Sequence, residues 1–301
     1  MIARAPGKLV LSGAYAVLEG APALVTAVDR YVTADAGRAA ARVTEEVAAA
    51  IAAGALGAAP WFDASALRAP VEGGGTRKLG LGSSAAILVA SLAAARASEG
   101  HDKARLRELV FAPALAAHRA AQGGGSGVDV AASTFGGVLA LHLEHGVLRH
   151  ERHRLPPSIE IHVFASALSA STAALVGAVR AFATRRPGDH RARIDALSTA
   201  SSAALAASDP TSFVEALRAQ FAELHALGVD AEVPIVPPDQ LALAALAASG
   251  GGAFGPSGAG GGDVSIHVAA GPPSASFLRA ARAAGLEHTA LTTGARGVHL
   301  A

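Results

Sequence analysis

The first half of the chain alternates short apolar runs with glycine-rich turns. Residues 9–11 form one such run, and residues 23–33 carry β-branched side chains throughout; both predict strands. Residues 137–143 alternate, Glu144-His145-Gly146 has hairpin-turn composition, and residues 147–153 return as a strand. A further strand is expected over 159–163. Residues 85–97 contain no helix breaker and predict a helix. A second is expected over 103–122, where Pro113 should kink or split it. From Ser171 to about Leu227 the pattern is helical, and again over 239–248. A glycine-dense loop over 250–262, a strand over 264–268, a helix over 274–284 and a short C-terminal strand complete the chain.

Helices and strands are mixed without strict βαβ alternation, which predicts an α+β fold rather than a doubly wound sheet. The change from strand-rich to helix-rich near residue 168 predicts two domains, 1–168 and 169–301. There is no internal repeat of fixed period.

Composition narrows the functional classes. Lys and Arg number 25 against 24 Asp and Glu, a net charge of +1, which leaves no electrostatic footprint for nucleic acid or an anionic membrane. Aromatics at 4% argue against a base-stacking platform. Without cysteine there are no disulfides, thiolate metal sites or cysteine nucleophile. A 51% hydrophobic and 16% charged composition is that of a folded protein. The alanine-rich run 47–59, interrupted by Gly54 and Gly57, is too short to span a bilayer. The first eight residues lack a signal-peptide core, so a cytoplasmic location is expected.

Three glycine-rich segments are candidates for chemistry. Gly80-Leu81-Gly82-Ser83-Ser84-Ala85 stands directly before a predicted helix, whose free N–H groups and dipole suit an anion. Alternatively, Ser83 or Ser84 only caps that helix. The segment fits a loose G-x-G-x-x-A pattern, but residues 73–78 make a poor preceding strand, and Glu99 and Asp102 fall at a helix end, against a dinucleotide site. Gly7-Lys8 is followed by Leu9, so no Walker A motif is present. Residues 255–263 are either a flexible linker or a nest of N–H groups for an anion. Asp129, among Val128, Val130, Ala131 and Ala132, needs a partner or a task, as does the isolated Lys8. A structural Lys8–Asp129 ion pair would satisfy both. His142, His145, His150 and His153 show no ligand spacing and are expected on a solvated strand face.

Taken together, residues 5–20, 80–86 and 256–263 resemble, in order and spacing, the three motifs of the GHMP kinases, the superfamily of galactokinase, homoserine kinase and mevalonate kinase. Tyr15 with residues 16–18, Ala117-His118-Arg119-Ala120-Ala121-Gln122-Gly123, residues 125–133, Gly136-Gly137, residues 169–172 and Asp263 are most similar to the branch that phosphorylates 5-phosphomevalonate. Mevalonate kinases carry a magnesium-binding glutamate about where His118 stands, and the serine-rich segment of the related decarboxylase is missing.

The resemblance implies a ribosomal protein S5 domain 2-like N-terminal domain, a ferredoxin-like C-terminal domain, and transfer of the ATP γ-phosphoryl group with Mg²⁺. It implies catalytic roles for Lys8 and Asp129 and nucleotide binding by Gly80, Leu81, Gly82, Ser83, Ser84 and Ala85, with Ser84 on the metal. Substrate contacts are implied for Ser12, Tyr15, Lys78, Ser126, Ser257, Gly258, Ala259 and Gly260. The expected partner is a phosphorylated small molecule, with no nucleic acid or membrane, in a monomer or homodimer. An alcohol acceptor such as mevalonate, or a non-catalytic nucleotide-binding member, is the alternative. Two positions depart from the pattern: Ala14, where many members have Glu, and Gly255, where the bacterial branch usually has Lys. Trp61 and Phe62 are candidates for the adenine pocket.

Overall fold

The computed structural model describes residues 1–70, 74–99, 105–166 and 171–301. The expected junction at 168/169 and Gly73, Asp102, Lys103, Ser169 and Ala170 lie outside them. Strand β1 (Ile2–Ser12) is longer than its apolar run because its N-terminal half is paired: Ala3 and Arg4 face Leu300 and His299 of β12 (His299–Leu300). Strand β2 (Ala23–Ala39) likewise extends past residue 33, where β3 (Pro60–Asp63) pairs antiparallel with it. With β6 (Val138–Glu144) and β7 (Val147–Arg152) the sheet order is β12-β1-β2-β6-β7, β3 joining through β2. The expected hairpin turn forms with His145 and Gly146 both at positive φ, 48° and 81°, as the twist of paired strands favours. A small hairpin joins β4 (Arg68–Pro70) to β5 (Thr76–Lys78).

The helices follow from alanine-rich stretches. Helix α1 (Glu45–Ala52), capped by Thr44, overlaps the start of the alanine-rich run 47–59. Helix α2 (Ser83–Ser98) is buried over most of its surface by alanine, leucine and valine. Helix α3 (Leu106–Gln122) is not split at Pro113, which lies inside it. The missing N–H leaves one carbonyl without its helical partner, and packing against α1 and α2 holds the rest of the helix together. Helix α4 (Val128–Phe135) follows the glycine run and ends at Gly136.

After β8 (Glu160–Ser166) come α5 (Thr172–Arg185), α6 (Pro187–Ala206) and α7 (Pro210–Asp230). Ser171 and Asp209 cap α5 and α7, and proline opens α6 and α7 where its lost N–H would be unpaired anyway. Helix α8 (Pro238–Ser249) precedes β9 (Ala253–Pro256), a strand inside the expected loop. Strand β10 (Val264–Ala269), helix α9 (Ala275–Ala283) and β11 (Leu286–Thr289) follow. The order β11-β8-β10-β9, antiparallel throughout, is 4-1-3-2 in chain order, the ferredoxin-like arrangement. Phe164, Phe254 and Phe277 pack edge-on at 5.2–5.9 Å between ring centres, with Leu243, Ala247 and Leu286 around them.

The chain thus forms the α+β fold expected of it. Its contacts group it into two compact units, one of Met1–Leu9, Val25–Leu139 and Thr292–Ala301, the other of Val10–Leu24 and Ala140–Leu291. Among the described residues, no helix is long and apolar enough to cross a membrane.

One buried histidine in the second sheet ties folding to pH. His267 on β10 is 5% exposed and tilted against Phe277 at 4.7 Å, and it faces His162 across the strands. Burial, then the neighbouring His162 and His288, pushes its pKa down from 6.5 to about 4. Between those values the unfolded chain takes up a proton that the folded chain refuses, so stability falls as pH drops from 6.5 towards 4. Urea midpoints measured across this range should decline with acid, and His267→Leu should flatten that decline.

Candidate active site

In the first unit, β1 delivers Lys8 to the loop that starts α2. The Lys8 N–H donates to the Leu81 carbonyl at 2.9 Å. Gly80 and Gly82 both have positive φ, 70° and 74°. A Cβ on Gly82 would stand 3.0 Å and 3.1 Å from Cγ and Cε of Lys8, and 3.7 Å from Cβ of Asp129. The lysine stem therefore lies along backbone that only glycine leaves bare. Gly82 is the N-cap of α2 and no side chain caps it. Ser83 and Ser84 sit inside the first turn, half-buried, which removes the reading of either as a simple cap. An uncapped helix N-terminus with two serines in its first turn can take a polyphosphate, and the Ser84 hydroxyl is a hard oxygen donor of the kind Mg²⁺ accepts.

Asp129 lies in the first turn of α4. Its Oδ1 accepts the N–H of Val130 at 3.0 Å, and its Oδ2 stands 3.1 Å from Nε2 of His118 on α3. His118 is 2% exposed, whereas the Asp129 side chain keeps 22% of its surface open. Burial alone would raise the Asp129 pKa; His118, Lys8 and the Val130 N–H outweigh it and hold the carboxyl below its ordinary value. Burial would likewise lower His118, yet Asp129, with a smaller push from Glu46, holds the imidazole above its ordinary value. Ser133, one turn along α4, donates to the Pro6 carbonyl at 2.8 Å and pins the helix to the strand that carries Lys8. Ser126 is half-buried beside Asp129's helix, its hydroxyl facing the Val128 N–H at 3.5 Å. Lys78 is exposed at the end of β5.

The second unit brings the first and third glycine segments together. Tyr15, at φ 63°, donates its hydroxyl to the Ala259 carbonyl at 2.7 Å, and burial pushes the phenol up. The Val10 N–H donates to Oγ of Ser257 at 2.9 Å. Gly258 and Gly260 have positive φ, and the Gly261 N–H donates to the Ile235 carbonyl at 2.9 Å. These bonds make residues 257–261 an anchored loop, not a linker. Ser12 is 2% exposed; Ser201 donates to the Pro22 carbonyl, so Ser12 donates to Ser201, at 2.8 Å in each case.

The rings of Trp61 and Phe62 are covered by the guanidinium groups of Arg38 and Arg42, at 4.1 Å and 5.3 Å. His145 is exposed, while His142, His150 and His153 are half-buried instead of lying on a wholly solvated face. Sequence reasoning singled out His118 without its contact to Asp129, because α3 and α4 meet only in the tertiary structure. It missed Phe221 altogether.

Residues 46–137 match the family described as GHMP kinases N terminal domain. A phosphomevalonate kinase from Streptomyces sp. (strain CL190) is 30% identical over 339 aligned positions, covering 89% of each chain. The Lin0012 protein of Listeria innocua has a similar structure, with a TM-score of 0.80 and 23% identity over 100% of this chain and 99% of that one. The Streptococcus pneumoniae phosphomevalonate kinase in complex with phosphomevalonate and AMPPNP superposes with a TM-score of 0.73 and 19% identity, covering 97% and 100%.

Gly255 has a local reason. It lies in β9, and a Cβ there would enter the ring of Phe221 on α7, itself 6% exposed. Phe221 fills the volume that any side chain at 255 would need. Gly255→Ala should therefore lower stability by about 1–3 kcal/mol through overpacking. In a Phe221→Ala background the same change should cost less than about half as much, since the two sites are coupled. Urea denaturation of the four proteins measures both.

Proposed function

We propose that this chain, which belongs to the GHMP kinase family, transfers the γ-phosphoryl group of ATP to 5-phosphomevalonate, giving 5-diphosphomevalonate and ADP. The observation that carries this reading is the 30% identity to a phosphomevalonate kinase along 89% of both chains. The chemistry of the first unit agrees with it. Two polyanions must be brought together, so the protein's work is positioning and charge neutralisation rather than bond-making by a side chain.

The uncapped N-terminus of α2 and the Gly80–Gly82 backbone would receive the ATP phosphates, with Ala85 closing the first turn beneath them. Ser84 would hold the Mg²⁺ that arrives with the nucleotide and shields its polyphosphate. Lys8 would neutralise charge that builds between donor and acceptor. Asp129 would keep Lys8 in place. A phosphate monoester loses its second proton near pH 6, so the acceptor is largely dianionic at neutral pH and needs no base. Lys78, Ser126, Tyr15 and the loop of Ser257, Gly258, Ala259 and Gly260 are assigned to the substrate. Ser12 is assigned to the substrate within the second unit, where Ser201 holds its hydroxyl. The site is read as serving a small phosphorylated molecule within isoprenoid biosynthesis, in the cytoplasm.

An ADP-release assay with magnesium and ATP tests the reading. Turnover is expected with 5-phosphomevalonate and not with mevalonate; turnover of mevalonate instead would reassign the chain to the alcohol kinases and make Asp129 a base. Lys8→Ala should lower kcat by roughly 10²–10³-fold, the range for loss of a group that stabilises transition-state charge. Asp129→Asn should lower it less. A larger loss at Asp129 than at Lys8 would contradict the role given to the carboxylate.

A further inference from the structure

We infer that His118 is a positioning residue: from the buried side of the site its close contact with Oδ2 holds Asp129 as a carboxylate, which fits the site to an acceptor that arrives already ionised. The inference about turnover rests on the proposed phosphoryl transfer; the inference about Asp129 does not. Nε2 of His118 lies 3.1 Å from Oδ2 of Asp129, and the Val130 N–H occupies Oδ1 at 3.0 Å. A general base needs an oxygen aimed at the substrate proton and a pKa near the working pH. Asp129 offers neither, because its oxygens face His118 and its own helix, and those donors favour the anion. What it presents to the open side is fixed negative charge beside Lys8.

His118 suits this task and no simpler one. It is 2% exposed, and neither ring nitrogen meets full hydrogen-bond geometry with a partner among the described residues: Nε2 faces Oδ2 as a close ionic contact, and Nδ1 is buried away from it. The ring's close polar contact is thus with the carboxylate. As a neutral ring or as imidazolium it presents N–H at Nε2, because only a donor is tolerated against Oδ2. The charged groups around it are Asp129 on α4, Glu46 on α1, Arg119 on its own helix and, beyond Asp129, Lys8. Glu46 is itself 6% exposed and accepts from Gln122 at 3.4 Å.

Two measurements decide the matter. His118→Leu, which removes the donor, is expected to lower kcat at least about tenfold while KM for ATP changes less than about threefold. His118→Gln, whose amide N–H can reach the same oxygen, is expected to return kcat to within about threefold of the parent. Equal loss in both variants, or loss in neither, overturns the inference. The second measurement needs no substrate: the His118 titration followed by imidazole ¹⁵N NMR should move to lower pH in Asp129→Asn. An unchanged titration overturns the inference as well. If 5-phosphomevalonate is not turned over by the parent, the proposed function falls and the NMR result alone decides; the same measurement and the Gln variant carry the test if His118→Leu does not fold.

Discussion

A carboxylate set among alanine and valine stays ionised only if its surroundings supply donors and positive charge faster than burial removes water. Asp129 meets that condition three times over, through the Val130 N–H, His118 and Lys8. Much of the first unit's local geometry can be traced to this requirement. Gly82 leaves room for the Lys8 stem, the Lys8 N–H is tied to the loop at Leu81, and Ser133 ties α4 to Pro6. Lysine, loop and aspartate are thus linked by short bonds that do not depend on long flexible side chains. The uncapped start of α2 then stands beside a lysine whose own counter-charge is already in place.

The second unit spends its polar atoms differently. Within residues 257–261 the Ser257 hydroxyl, the Ala259 carbonyl and the Gly261 N–H are all engaged by other parts of that unit. Tyr15 accepts an unfavourable backbone conformation at φ 63° to bring its hydroxyl to Ala259. The bond and the strain coincide at one residue of the first motif. A rigid loop of this kind keeps a fixed set of backbone groups in register.

Sequence patterns made the strands over 9–11, 23–33 and 264–268 legible through an apolar run, frequent β-branching and alternation respectively. They also exposed Lys8, Asp129 and the Gly80–Ala85 segment, since isolated charges and glycine pairs before a helix are local signals. Helix α4 escaped because it has only eight residues, several β-branched, between glycines. Strand β9 escaped because Gly255 and Pro256 are poor strand formers, and it forms by pairing with β10. At Pro113 local propensity predicts a kink or a split, and packing against α1 and α2 keeps the helix from splitting. The His118–Asp129 and Gly255–Phe221 contacts had no signal in one dimension, since each joins two separate elements whose packing the local pattern does not reveal.

The pairing of Ala3 and Arg4 with Leu300 and His299 has a consequence for biosynthesis. The first unit contains both the opening strand and residues 292–301, so its sheet cannot be completed until residue 300 has left the ribosome. Residues 140–291, which belong to the other unit, emerge earlier and can bury their aromatic cluster while β1 still waits for its last neighbour. Loop closure over nearly the whole chain is the slow kind of contact, made late. Until then the edge of β1 at Ala3 and Arg4 stays without this neighbour, an open backbone edge of the kind that can template pairing with another chain.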